Sequence, residues 1–423
     1  MAHISYVRQV QLANSATMAS VLPMNLEFNN FAIFGGQPSQ RIELVAQAIA
    51  RYAGKIGIVV IHKGSDDGSD MVRRLSQLPS VLGMPGLQVR SDRGKVYDPL
   101  YGLTAEAIVD LLVPEDPHNP MSHSINTLRA GIRGYLRIME YQFRKGIALF
   151  GDYPYNLNLL DHLASMPYTT LENTVLRYFP NDLQASIKQV LNVADIQQGV
   201  AACVGNLTSI MEEYWWQKKD FTGHTGVSII NSVSKRQVIS MRVPNSNSKL
   251  LNYIDAELRV LNNQNIPFLL VNCDVNIAEH GAMQKWFLNS HAGESYFTAI
   301  VADSMAEVTR DDNRWGSIFS QYQQVFVLKC ASDDQAQPFS SQFGHYYRRQ
   351  IERNHGRTRE PLHILPSHQH GVAEHYIAEP NIRTEDLTGR PNGLLLCGSA
   401  YELPILIDYF DTTGGVYNGT PLS

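Results

Sequence analysis

The sequence predicts an α/β fold, a mostly parallel sheet whose strand–helix series is interrupted by an all-helical module. Three observations carry this. In the first third of the chain, short apolar runs rich in β-branched and aromatic residues alternate with amphipathic helical stretches. Between about Ser122 and Lys219 only helical periodicity remains. Strand patterns then return from Gln237, so one βα series brackets the helical block. The boundaries read 1–121 for the first part of the sheet domain, 122–226 for the helical insertion and 227–423 for the second part.

The elements follow in order. Phe31, Ala32, Ile33 and Phe34 form a buried strand, and a Gly-Gly-Gln-Pro-Ser-Gln turn leads to Ile42, Val45, Ile49 and Tyr52 at helical spacing. Ile56 to Ile61 is the next strand, followed by a helix near Met71 to Gln77 and a strand-like piece in LQVRSDRGKVYDPL. The helical block runs from INTLRAGIRGYLRIMEYQFRKGIALF to GVAACVGNLTSIMEEYWW, broken by DYPYN and FPND. After Gln237–Val243 come a helix over Leu250 to Leu261, the strand PFLLVNCDV, another helix, and the strands YFTAIVADS and QVFVLKCAS. NGLLLCGSAYELPILIDYF closes the chain as two short strands and a turn.

With 423 residues, 44% of them apolar and 18% charged, the chain can bury a large core. A net charge of −5 argues against a generally basic nucleic-acid coat. Cys203, Cys273, Cys330 and Cys397 are scattered without a C-x-x-C pair, which reads as reduced thiols in a cytoplasmic protein. Neither a signal peptide nor an apolar run of membrane-spanning length is present, so attachment to a membrane would need a partner.

The stretch FAIFGGQPSQRIELVAQAIARY has the strand–loop–helix outline of a phosphate-binding P-loop, G-x-x-x-x-G-K-[ST]. Aligned on Gly35 and Gly36, the loop passes Ser39 and ends in Gln40, Arg41 and Ile42. Gln40 stands where a glycine lets backbone approach phosphate. Arg41 keeps positive charge in a planar fork instead of a compact ammonium. Ile42 cannot ligate magnesium, and Pro38 removes a backbone donor. Arg41 alone leaves weak ATP binding open.

In the order of its segments the chain resembles the soluble domain of type IV secretion coupling proteins, the VirD/TraD-like branch of FtsK-related P-loop ATPases. The resemblance rests on collinear landmarks: FGGQPSQRI, VYDPLYGLTAEAIVDLL, a helical block, SVSKRQVISMRVPNSNSKLLNYIDAEL, PFLLVNCDV and SIFSQYQQVFVLKCASDDQAQPFSSQFG. Each alone is an ordinary strand, turn or helix; their order carries the likeness. It implies a RecA-like sheet, an Asp–Glu pair after the strand Phe268–Val271, and a glutamine after the following strand to sense the terminal phosphate. Here Cys273 and Asp274 occupy the pair in one frame, Asp274 and Val275 in the other, and Asp303 stands at the sensor position. Phosphoryl transfer depends on such charges, so three degenerate positions together imply a pseudo-ATPase.

Three further groups invite a functional reading. Arg348, Arg349, Arg353, Arg357 and Arg359, after Tyr346 and Tyr347, could grip nucleic acid or an acidic partner. Glu352 and Glu360 interrupt them, which favours a solvated helix end. His363, His368, His370 and His375 lie near Pro366 and Gly371, which favours loop histidines, so no metal ligand is assigned. Trp215 and Trp216 adjoin at the end of the helical block and cannot share one narrow stripe.

The expectation is a catalytically degenerate, coupling-protein-like scaffold without a resident cofactor. Its partners would be secretion-system or related ATPase subunits, adaptors or substrate proteins, with a place at the inner membrane only through them. The alternatives are an active divergent DNA-translocating ATPase and a nucleic-acid-binding protein acting through Arg348–Arg359.

Overall fold

The computed structural model describes residues 11–13, 16–17, 29–63, 89–91, 97–114, 123–146, 153–181, 184–185, 188, 194–214, 227–244, 247–289, 295–311, 314–358, 367–389, 394–397, 405–407 and 410–411. The helix expected near Met71 to Gln77, Trp215, Trp216, Arg359 and His363 lie outside them.

β1 (Gln11–Ala13) and β2 (Ala16–Thr17) precede β3 (Phe31–Phe34), α1 (Pro38–Tyr52), β4 (Gly57–His62) and β5 (Val89–Ser91). The helices α2 (Ala105–Leu112), α3 (His123–Arg144), α4 (Leu157–Ser165), α5 (Tyr168–Tyr178) and α6 (Ala194–Tyr214) follow. Strands resume after α7 (Ile229–Ser234) with β6 (Val238–Arg242), α8 (Ser248–Asn263), β7 (Phe268–Cys273), α9 (Gly281–Leu288) and β8 (Tyr296–Ala302). Then come α10 (Trp315–Gln321), β9 (Gln324–Leu328), α11 (Asp333–Gln342), β10 (His345–Thr358) and β11 (Ser367–Pro380). The chain ends with α12 (Thr384–Thr388), β12 (Leu394–Cys397), β13 (Ile405–Ile407) and β14 (Phe410–Asp411). This is the α/β arrangement with an all-helical run that the sequence predicts.

Two compact units divide the chain: Met1–Leu44 with Ile300–Ser423, and Val45–Ala299. In the first, the strand order is β1-β13-β12-β9-β3-β8, with Ile300–Ala302 of β8 belonging to this unit. β3 pairs in parallel with β9, Phe31 opposite Gln324 and Phe34 opposite Val327. β12 runs antiparallel to both β9 and β13, as the expected closing pair of strands. Every residue of β3 is buried, which explains why it reads as a continuous apolar run instead of an alternation. Phe34 packs on Phe339 of α11 at 5.3 Å between ring centres, and Phe319 of α10 meets the same ring at 5.9 Å.

In the second unit β7, β4, β6 and β5 lie in that order and pair in parallel throughout. β4 and β7 are buried along their whole length. Phe268 stacks on Tyr296 at 5.5 Å, and Trp286 meets Tyr296 edge-on at 4.9 Å. Arg129 fastens α3 to α2 by donating to the Val113 carbonyl (2.6 Å) and to Asp110 (2.5 Å). A Cβ on Gly131 would stand 2.4 Å from Cγ2 of Ile196, so glycine is what lets α3 and α6 close.

One expectation fails. The arginine-rich segment read as a helix end is β10, and most of the histidine segment read as a loop is β11; the two pair antiparallel from His345↔Pro380 to Thr358↔Ser367. Arg, Gln and Glu favour helices locally, but the aromatic and β-branched residues among them meet partners across the strand, and tertiary pairing overrides the weak local preference.

Candidate functional site

The predicted cradle is present in the first unit, and it is filled by the protein itself. β3 ends in Gly35 (φ +72°) and Gly36 (φ +69°), a left-handed pair that turns the chain into α1. In a phosphate-binding loop the following N–H groups point at an anion. Here the Gly35 N–H donates to the carbonyls of Ala302 (3.1 Å) and Asp303 (3.2 Å), and the Gly36 N–H to that of Lys329 (2.7 Å). The Gln37 N–H donates to Oε1 of Gln40 (3.0 Å). Gln40, predicted to obstruct phosphate by its bulk, thus also takes a donor that phosphate would need.

Arg41 completes the closure. Its side chain is 4% exposed, and Nη1 donates to the carbonyls of Gly35 (2.9 Å) and Gly36 (2.7 Å) and to Oδ1 of Asp303 (3.3 Å). Asp303 is held in turn. Its N–H donates to Glu307 (3.1 Å), and its Oδ2 accepts from Nε2 of Gln335 (3.4 Å). Arg41 and Asp303, singled out at two distant points of the sequence, therefore form one ion pair. Ile42 is buried and offers no ligand to magnesium.

The glycine pair is required by space as well as by φ. A Cβ on Gly36 would lie 2.7 Å from both Cβ and Cδ1 of Leu328. Gly36→Ala is expected to lower stability by about 3 kcal/mol, combining left-handed strain with overpacking. The measurement is the urea midpoint, which should fall at unchanged m value.

The acidic motif belongs to the second unit. Cys273 ends β7 as a buried cysteine outside any disulfide. Asp274 follows at φ +57°, a left-handed conformation that Asp tolerates. Nδ2 of Asn272 donates to the Val275 carbonyl (3.0 Å), closing the turn, and Val275 is buried. The turn carries Asp274 as its one carboxylate.

In the arginine cluster, Arg348 pairs with Glu379 at 3.4 Å and Arg349 with Glu374, both across the hairpin. Arg353 and Arg357 are placed on β10 by their backbone.

Sequence reading missed a buried acidic cluster in the second unit. Glu257 of α8 is fully buried; it accepts from the Tyr97 hydroxyl and, at 3.0 Å, from the Ile230 N–H in α7. Asp98 is also fully buried and accepts from the N–H groups of Leu100 (2.9 Å) and of Leu157 at the start of α4 (3.1 Å). Burial pushes the Glu257 carboxyl up to about 8 and the Asp98 carboxyl up to about 6, against their backbone hydrogen bonds, which pull the other way. Burial, then the nearby Glu257 charge, raises Tyr97 well above the usual phenol value. A signal existed: Glu257 falls on the stripe of Leu250, Ile254 and Leu261, where an acid must be buried.

No protein-family model matches the chain, and no curated protein matches it by sequence. Among solved structures, the plasmid coupling protein TrwB in complex with the non-hydrolysable GTP analogue GDPNP is similar over 95% of this chain and 89% of its own, with a TM-score of 0.52 and 9% identity. An unbound form of the bacterial conjugative coupling protein TrwBdeltaN70 matches over 95% and 88% at a TM-score of 0.46 and 10% identity. VirB4 of Thermoanaerobacter pseudethanolicus matches over 76% and 82% at 0.34 and 11%. At such identity the TrwB likeness is one of fold. The chain has an α/β P-loop-NTPase-like fold similar to that of a coupling protein.

Proposed function

We propose that this chain is a catalytically silent, coupling-protein-like subunit of a bacterial type IV secretion or conjugation apparatus, working as a docking scaffold. The observation that carries the reading is the self-filled cradle. Donors that would bind phosphate are bonded to Ala302, Asp303, Lys329 and Gln40, and Arg41 is spent on two carbonyls and Asp303. A triphosphate would have to break these bonds, find no hydroxyl ligand for magnesium at Ile42, and face the Asp303 carboxylate. Binding, not turnover, is the activity left to such a fold. The helical segment 122–226 serves as the recruiting module for substrate or adaptor proteins, beside secretion-system or related ATPase subunits. Among the described residues no helix is long and apolar enough to cross a membrane. A place at the inner membrane comes, in this reading, through a partner.

Calorimetry with ATP and magnesium tests this directly. The expected result is no saturable heat and no hydrolysis above the buffer rate. Tight, magnesium-dependent binding with turnover would instead identify an active, divergent ATPase. The nucleic-acid reading is weakened because Arg348 and Arg349 already pair with glutamates of the opposite strand.

A further inference from the structure

The β10–β11 hairpin shows solvent the kind of side chain that a folded chain ordinarily hides. Among the described residues, the exposed large apolar side chains are Tyr347, Ile351, Val372, Tyr376 and Ile377, each between 44% and 64% exposed. All five belong to these two strands. Register sorts them: Tyr347 stands opposite Ala378, Arg349 opposite Tyr376, and Ile351 opposite Glu374. Directly opposed residues share a face, as do residues two apart on one strand. Tyr347, Ile351, Val372 and Tyr376 therefore form one face, while Ile377, opposite Arg348, lies on the other. Gln350 and His375, a further opposed pair, make that other face mainly polar.

An alternating antiparallel strand usually turns its apolar face to a core. Here that face is turned outward, and a contiguous exposed apolar patch marks an interaction surface. Charge narrows the choice of partner. Among the described side chains of this face, the charged ones are Arg349 and Glu374, paired with each other in its middle. A strongly acidic or strongly basic partner would press one of them against a like charge. A second copy does not: turned about a two-fold axis in the plane of contact, it sets Arg349 beside Glu374 of the other copy and apolar surface on apolar surface. The face is complementary to itself.

We propose that the face of Tyr347, Ile351, Val372 and Tyr376 is where two copies of this chain associate, ribbon on ribbon, about a two-fold axis. Such a contact closes on itself and stops at a pair. It also gives each two-stranded ribbon, marginally stable alone, a second layer to pack against. The patch is about 20 Å long and two strands wide, less than the roughly 800 Å² that each side of a standard interface buries. The association is accordingly weak and concentration-dependent. This inference stands apart from the proposed function and holds whether or not the cradle binds nucleotide.

The test is sedimentation of the full chain from about 5 to about 200 µM, the range in which a weak contact is populated. The expected result is a monomer that passes to a dimer and no further. Ile351→Lys and Val372→Lys should each weaken the dimer at least about tenfold, since each buries an ammonium at the contact. Ile377→Lys, as exposed but on the other face, should leave it unchanged. Circular dichroism confirms that each variant is folded. Charge reversal separates a contact between copies from a role inside the hairpin. Arg349→Glu and Glu374→Arg each break the internal pair, so each alone should associate less than the wild type. Mixed together they present an acidic face to a basic one, and association should return. The proposal is overturned by a chain that stays monomeric at about 200 µM, by association that survives Ile351→Lys and Val372→Lys, by its loss in Ile377→Lys, or by a mixture of the two charge reversals that associates no better than either alone.

Discussion

Arg41→Ala should cost this protein its stability, not a nucleotide. Truncation strands the Gly35 and Gly36 carbonyls, which accept from Nη1 at 2.9 and 2.7 Å, and leaves the 4% exposed position hollow. A hydrogen bond to a charged group contributes about 1.5–3 kcal/mol, and an unsatisfied buried acceptor costs a similar amount. With non-additivity the expected loss is about 3–4 kcal/mol, read as a fall in the urea midpoint. Nucleotide affinity should be absent before and after the change. Arg41→Lys should recover only part of the loss, because the shorter lysine side chain sets its ammonium short of the place where Nη1 meets all three acceptors. Asp303→Ala should cost much less, about 1 kcal/mol or below, because that carboxylate is 45% exposed and water can replace it. A folded Arg41→Ala variant as stable as the wild type would sink the idea that this cation is structural.

Why the sequence reveals the frame but not its closure follows from the range of the interactions. The strand Phe31–Phe34 and the helical spacing of Ile42, Val45, Ile49 and Tyr52 are local patterns, legible within about 20 residues. That Gln40, Arg41 and Ile42 depart from the G-x-x-x-x-G-K-[ST] pattern is visible from residue type alone. That Arg41 turns onto Gly35, Gly36 and Asp303 is not, since Asp303 is 262 positions away and any of several acids could have met it. The hairpin was hidden for the same reason. Arg357 and His368 are joined by strand register, and helix-favouring residues mask the strand in a local reading. Glu257 was the reverse case, an acid on an apolar helical stripe whose partner, Tyr97, lies 160 residues away.

That buried acid sets the protein's response to pH. An ordinary glutamate titrates near 4.5, and Glu257 is pushed up to about 8 by burial. Between those values the folded chain holds a proton that the unfolded chain has released, so unfolding becomes easier as pH rises through this window. The contribution is fully present below about pH 4.5 and is lost as pH passes about 8. At about 1.4 kcal/mol per unit the loss is on the order of 5 kcal/mol. Asp98, raised from 3.8 to about 6, adds a smaller loss confined to the lower part of the range. Glu257→Gln keeps the size and an acceptor for the Ile230 N–H but cannot ionise. Its stability should therefore be nearly flat between pH 6.5 and 8.5, a range chosen from the raised Glu257 value of about 8, while the wild type declines. Urea melts across that range check this, and parallel slopes for the two proteins would refute it. Tyr97→Phe separates the hydroxyl from burial. The tyrosine hydrogen bond holds the Glu257 value down, so its loss should move the wild-type decline to higher pH.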